Sequence, residues 1–288
     1  MSYLALKSNE NIFDVLGDAR TIGSELRQGY NDAAPFPSVI IDDFLPPDVL
    51  NKVADEFPER NNSDEFYQRN QENKKRSYSP ARISSPHIRG LLNFFNEQPF
   101  IRILENITGI DGLIPDPYFL GAGLHETAAG GHLSIHADFN LHEKMRLKRR
   151  INVIIYLNKD WPDAFGGHLE LWDRDMKVLR QKVSPAFNRC VIFNTDDDSF
   201  HGHPEPLTCP EDRCRRSIAL YYYTASDHIL REYKRHTTVF KKRAGTTDAG
   251  DAALRRKEFI MDLFPPLLVR LFFQYGRKIK ALLGLKRG

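Results

Sequence analysis

From Ile110 onward the sequence breaks into short apolar runs interrupted by Gly, Pro and Asp, and this pattern constrains the fold more than any other feature. Strand-like runs lie near 117–125, 131–138, 151–158, 167–172, 178–184, 190–195 and 216–223. Each is too short for a core helix, and few helical stretches separate them. Seven or eight such strands predict an antiparallel β-sandwich or jelly roll, with the helices that precede it packed on an outer face. Those helices are also legible. Pro37 to Phe44 is a β-branched run that stops at Pro46-Pro47, and Val49, Leu50, Val53 and Phe57 follow at helical spacing, so the spacing predicts a strand and then a helix opened by proline. Two further helical segments are expected between Ser85 and Ile110, and the polar stretch 60–79 reads as an exposed loop. Residues 1–34 read as a variable N-terminal extension with an amphipathic helical stretch around Ile12 to Leu26.

The chain has 288 residues, of which 41% are hydrophobic and 27% charged, so disorder is not the default and collagen-like, low-complexity and membrane-channel classes are excluded. Its net charge of +3 is uneven. Residues 263–288 hold Arg270, Arg277, Lys278, Lys280, Lys286 and Arg287 and no acid, so the rest of the chain is mildly acidic and no nucleic-acid partner is expected. In that tail Leu268, Leu271, Phe272, Tyr275, Ile279, Leu282 and Leu283 form one apolar stripe. A basic amphipathic helix is expected there, suited to docking on the domain, to a partner, or to peripheral contact with a membrane surface. Residues 244–262 read as a linker. Cys190, Cys209 and Cys214 are few and odd in number, and Met1 to Asn11 lacks an apolar signal core, so a reducing, cytoplasmic location is expected.

Three elements carry chemistry: His136-Ala137-Asp138, His201-Gly202-His203 and Arg215-Arg216-Ser217. Alternate side chains of a strand share a face, so His136 and Asp138 can chelate together. A distant third ligand, His201 or His203, would complete a two-histidine, one-carboxylate face of the kind that suits non-haem Fe(II). His-x-Asp alone is weak. Its place after Gly130-Gly131, with Ser199-Phe200-His201 at the end of a later strand and Arg-x-Ser opening another, makes it specific.

In these stretches, and in Arg150 to Trp161 and Gly166 to Trp172, the chain closely resembles the 2-oxoglutarate- and Fe(II)-dependent oxygenases of the prolyl 4-hydroxylase-like branch. The resemblance covers roughly residues 35–243. It implies a mainly β domain, a double-stranded β-helix (jelly roll) supported by helices. It also implies a 2-oxoglutarate- and O2-dependent Fe(II) dioxygenase that hydroxylates an unactivated C–H bond, with ascorbate stimulatory. Residue by residue, His136, Asp138 and His201 match the metal ligands. Arg215 matches the arginine that binds the far carboxylate of 2-oxoglutarate, with Ser217 beside it and Tyr156 matching a tyrosine that hydrogen-bonds the same group. No catalytic residue beyond the metal centre is implied. Because Asp138 is present, hydroxylation is expected rather than halogenation. The branch suggests a prolyl or other peptidyl substrate, while a small molecule or a glycan or lipid precursor fits the same core. A non-catalytic jelly-roll binding module and a zinc hydrolase remain alternatives of another class, and neither needs a dicarboxylate anchor. Arg216 is expected to point outward as a solvated charge. Lys144, Arg146, Lys148, Arg149 and Arg150 read as a solvated basic face that could favour an anionic substrate.

Overall fold

The computed structural model describes residues 2–225. The linker expected at 244–262, the basic helix expected at 263–288 and the stretch 226–243 lie outside the described residues. The N-terminal residues form a hairpin, β1 (Leu6–Asn9) and β2 (Ile12–Val15), followed by the short helix α1 (Arg27–Asp32). No helix spans Ile12 to Leu26. The alternation of exposed Ile12 with buried Phe13 is that of a strand. Leu4, Phe13 and Tyr30 enter the same core cluster as the central strands, so these residues are built into the domain rather than standing apart from it. Phe13 packs edge-on against His87, with ring centroids 5.2 Å apart, and also meets Phe94. Phe13→Ala is expected to cost about 3–5 kcal/mol. A chemical-denaturation midpoint equal to wild type would show the hairpin to be dispensable.

The body opens with β3 (Ser38–Ile41) and α2 (Pro47–Asp55). Pro47 sits at the first helical position, where its missing N–H costs nothing, and Val49, Leu50 and Val53 are buried. The stretch expected as a loop instead holds a second hairpin, β4 (Glu65–Gln68) and β5 (Glu72–Tyr78). Helix α3 (Pro86–Phe95) starts at Ser85, whose hydroxyl accepts from the Ile88 N–H at 3.1 Å. Helix α4 (Gln98–Thr108) stops at Gly109, which is left-handed.

The remaining strands are β6 (Ile114–Pro115), β7 (Gly123–His136), β8 (Leu141–His142), β9 (Leu147–Tyr156), β10 (Leu169–Trp172), β11 (Leu179–Val183), β12 (Cys190–Asn194), β13 (His201–His203) and β14 (Cys214–Thr224). The run 117–122, expected as part of a strand, is instead a turn region. Neighbouring strands run antiparallel in the order β11, β10, β13, β7, β14, β9, β12, β3, and β5 adds a further edge to β7. The long β7 joins two sheet faces. Its first half pairs with β14 and its last residues pair with β13. The bend falls at Gly130-Gly131. Gly130 has a φ of 73°, and a Cβ on Gly131 would lie 2.7 Å from the Asn73 carbonyl oxygen. This is the expected jelly-roll architecture.

Alternation decides what each face carries. On the outer face, Ile151, Val153, Ile155, Ile218, Leu220 and Tyr222 join Phe94, Phe95 and Phe100 of α3 and α4 in one core. The Tyr222 hydroxyl also donates to the Phe95 carbonyl at 2.8 Å, fastening helix to sheet. Between the two sheet faces, Tyr156, Leu169, Leu171, Val183, Val191 and Phe193 fill one end with a smaller core. The other end stays open, and the polar residues face into it.

Candidate metal centre and co-substrate cavity

His136 ends β7, Asp138 follows two residues later, and β13 pairs directly beside them with His201 opposite His136. Their ligand atoms all lie within 4.8 Å of one another. His136 Nε2 is 3.4 Å from one Asp138 oxygen, and His201 Nε2 is 3.3 Å from the other. Each imidazole is turned by the same local device. Nδ1–H donates to the carbonyl two residues back, Ser134 for His136 at 2.9 Å and Ser199 for His201 at 2.8 Å. That bond fixes the tautomer in which Nε2 keeps its lone pair, the form a metal requires.

Asp138 is held from behind. Its Oδ2 accepts from Arg149 Nη2 at 2.9 Å and from Asn152 Nδ2 at 2.7 Å. Arg149 in turn donates through Nε and Nη2 to Asn152 Oδ1, and its guanidinium lies 3.5 Å from the Tyr221 ring centroid and 4.5 Å from that of Phe139. Arg149 is only 1% exposed. Burial opposes the charge on Asp138, but Arg149 and the two histidines outweigh it and hold the carboxyl well below the usual carboxylate range. Burial likewise opposes a charge on His136, and the hydrogen bond and charge of Asp138 push it up instead. Among the expected solvated basic residues, Arg149 is therefore a correction: it is a buried clamp on Asp138.

Across the same cavity, of about 400 Å³, lie Arg215 and Ser217. Arg215 is 7% exposed; its Nε donates to the Gly167 carbonyl at 2.7 Å and its Nη2 to the Tyr156 hydroxyl at 3.2 Å. It has no acidic partner among the described residues, and burial pushes its guanidinium below its ordinary value. A buried cation with neutral partners on one edge only is suited to an anion on the other. The Gly166-Gly167 turn makes room for it, because a Cβ on Gly167, whose φ is 73°, would come within 2.8 Å of Arg215 Cδ. Ser217 is buried on the same wall. Tyr156 does not line the cavity. It stands behind Arg215, with its ring in the smaller core and its hydroxyl on the guanidinium.

His203 also lines the cavity, and its buried Nδ1 has no hydrogen-bond partner among the described residues. It stays outside the three-residue ligand group, which takes His201. Arg216 faces the opposite side of β14, as alternation requires, but it is not a free solvated charge. Together with Arg60 it pairs with the fully buried Glu126, at 2.9 and 3.0 Å. Trp161 and Trp172 donate to the Gly166 carbonyl and to Glu170, as packing residues.

The donor chemistry fits Fe(II) and a dicarboxylate co-substrate: two imidazoles and one carboxylate on one side, and a buried arginine without an acidic partner among the described residues on the other. Mouse prolyl 3-hydroxylase OGFOD1 is 35% identical over 82 residues, which are 27% of this chain. The matched stretch spans 15% of that relative's length. Among solved structures, the chain is similar to a Pseudomonas putida prolyl-4-hydroxylase, with a TM-score of 0.49, 16% identity, and 70% of this chain and 98% of the other covered. It is also similar to a Trichoplax adhaerens prolyl hydroxylase in complex with a hypoxia inducible factor oxygen degradation domain peptide fragment, with a TM-score of 0.48, 18% identity, and 69% and 88% covered. Residues 122–223, which carry every one of the ligand and anchor positions just described, match the family model of the 2OG-Fe(II) oxygenase superfamily.

Proposed function

We propose that this chain is a 2-oxoglutarate- and O2-dependent Fe(II) dioxygenase that hydroxylates an unactivated C–H bond of a prolyl or other peptidyl substrate. The observation that carries the reading is the buried, acid-free Arg215 facing the same cavity as His136, Asp138 and His201. Neither a zinc hydrolase nor a non-catalytic binding module needs a dicarboxylate anchor of this kind. The peptidyl part is supported by the 35% identity to a prolyl 3-hydroxylase over 82 residues.

His136, Asp138 and His201 would hold Fe(II), leaving the cavity side of the metal open to ligands. The iron, when bound, supplies the redox chemistry that couples decarboxylation of 2-oxoglutarate to succinate and CO2 with transfer of one O2 oxygen atom to the substrate C–H bond. The protein's own part is orientation. Arg215 binds the far carboxylate, Ser217 adds a hydroxyl, and Tyr156 sets the guanidinium. Arg149 and Asn152 fix the Asp138 carboxylate, and Tyr221 and Phe139 shield that clamp from water. A reducing, cytoplasmic setting is supported by three cysteines that are all free thiols, and ascorbate is expected to stimulate turnover by keeping iron reduced.

The test is direct. With Fe(II), ascorbate, O2 and 2-oxoglutarate, succinate is expected to form slowly alone and faster with a hydroxylatable substrate, which gains one oxygen in mass. A protein that neither makes succinate nor binds 2-oxoglutarate when metal-loaded would overturn the reading.

A further inference from the structure

Beside the cavity a second depression, of about 570 Å³, runs toward the surface. Tyr67, Ser77, Gly121 and Phe139 line both, so the two form one trough leading away from the ligand group. Its floor is apolar and uncovered: Tyr118, Leu120, Phe139 and Leu141 are each 41–56% exposed. One exposed Leu needs no explanation, whereas four large apolar side chains in one groove imply a ligand. The floor is also held in place. The buried Asp116 carboxylate accepts from the Tyr118 and Leu120 N–H groups at 2.8 and 2.7 Å and lies 3.4 Å from His142 Nε2. Such a preformed surface loses little freedom on binding.

The charge of this groove is one-sided. Asp64, Glu65 and Glu143 line it, and no Lys, Arg or His does. Asp64 is engaged by Arg82 and the Ser79 N–H. Glu65 and Glu143 are exposed. Neither forms an ion pair among the described residues, the neighbouring Lys144 being held over the Tyr118 ring instead. The fold places Glu65 on the same row as Ser77 and His125, at the outer end of the cavity-facing strip.

We propose that this groove receives the polypeptide flanking the hydroxylated residue, and that it selects a segment in which a lysine or arginine adjoins an apolar side chain. The inference rests on the oxygenase reading. A free amino acid beside the co-substrate would occupy the inner cavity and leave the groove and its two acids idle. An extended chain fills both, its apolar side chain on Leu120 and Leu141 and its cation on Glu65 and Glu143.

The probe is a random decapeptide display library selected on the full chain loaded with Mn(II) and 2-oxoglutarate. Lys or Arg beside Leu, Phe or Tyr is expected to be enriched. A labelled peptide from the enriched set should bind about 10-fold more tightly than its Glu-for-Arg counterpart, by anisotropy at low salt. That preference should shrink at high salt and in the Glu65→Gln/Glu143→Gln double variant. Enrichment of acidic peptides, no enrichment above input, a preference unchanged in the double variant, or competition by spermine without peptide selection would each overturn it. Succinate formation by the wild-type protein, measured in parallel, separates the two readings: cationic selection without succinate sinks the catalytic reading and leaves the groove, and succinate without selection does the reverse.

Discussion

Replacing Arg215 by methionine is expected to weaken 2-oxoglutarate binding to the metal-loaded protein by about 10²–10⁴-fold, while leaving the ligand-free protein at least as stable as wild type. Both halves follow from the same geometry. Losing one partner of a buried, hydrogen-bonded charge pair costs about 3–5 kcal/mol, which is the affinity loss. Without the co-substrate, Arg215 has only the Gly167 carbonyl and the Tyr156 hydroxyl as partners and no acid, so its burial is a cost to the folded state. The sign agrees with its titration: a base whose value is lowered by folding destabilises the fold wherever it is charged. A methionine of similar length removes that cost, and a gain of about 1 kcal/mol or more in the ligand-free protein is expected. Thermal melts with and without 2-oxoglutarate check both. Wild type should gain stability on adding the co-substrate, and the variant should start at or above wild type and gain little. A variant that binds 2-oxoglutarate normally would remove Arg215 from its assigned role.

The second large effect concerns Asp138. Asp138→Ala is expected to abolish coupled hydroxylation, because it removes a ligand and strands Arg149, a buried guanidinium whose acidic partner is Asp138. Asp138→Asn separates these causes. Its amide oxygen can still accept from Arg149 and Asn152, so the fold should persist while metal affinity and turnover fall. Arg149→Met keeps all three ligands and removes their support, and outer partners of this kind are worth about 10–100-fold in metal affinity. Arg149→Lys keeps the charge but not the planar stack between Tyr221 and Phe139, so it should fall between the two. Metal titrations monitored alongside thermal melts resolve the series. Full product formation by Asp138→Ala would contradict its place in the ligand set.

How far the sequence discloses this arrangement depends on how local the cause is. The jelly-roll class, α2, α3, α4 and most strands after Ile110 are legible because their periodicity is local. The spacing of His136 and Asp138, and the Arg215/Arg216 alternation along β14, are legible for the same reason. Arg149 is not. Strict alternation puts it on the opposite face from Asn152, but the pairing of β9 with β14 slips by one residue where Tyr222 faces Ile151 and Tyr223 faces Arg149. That irregularity turns Arg149 inward onto the cavity side, and nothing in its run of basic neighbours signals it. The β4–β5 hairpin is hidden by its polarity, since one side faces water and the other a polar cavity. The N-terminal hairpin is too short to show a period. Tyr156 is found by motif, yet its position behind Arg215 depends on the register in which β9 pairs with β14.

The most direct measurement is an anaerobic calorimetric titration of 2-oxoglutarate into the full chain, with and without Fe(II). One equivalent should bind in the presence of the metal, and affinity should fall sharply when the metal is withheld, when His201 is replaced by alanine, or when Arg215 is replaced by methionine. Binding of equal strength in metal-free protein, or in either variant, would contradict a single cavity in which His136, Asp138 and His201 hold the metal and Arg215 holds the far carboxylate.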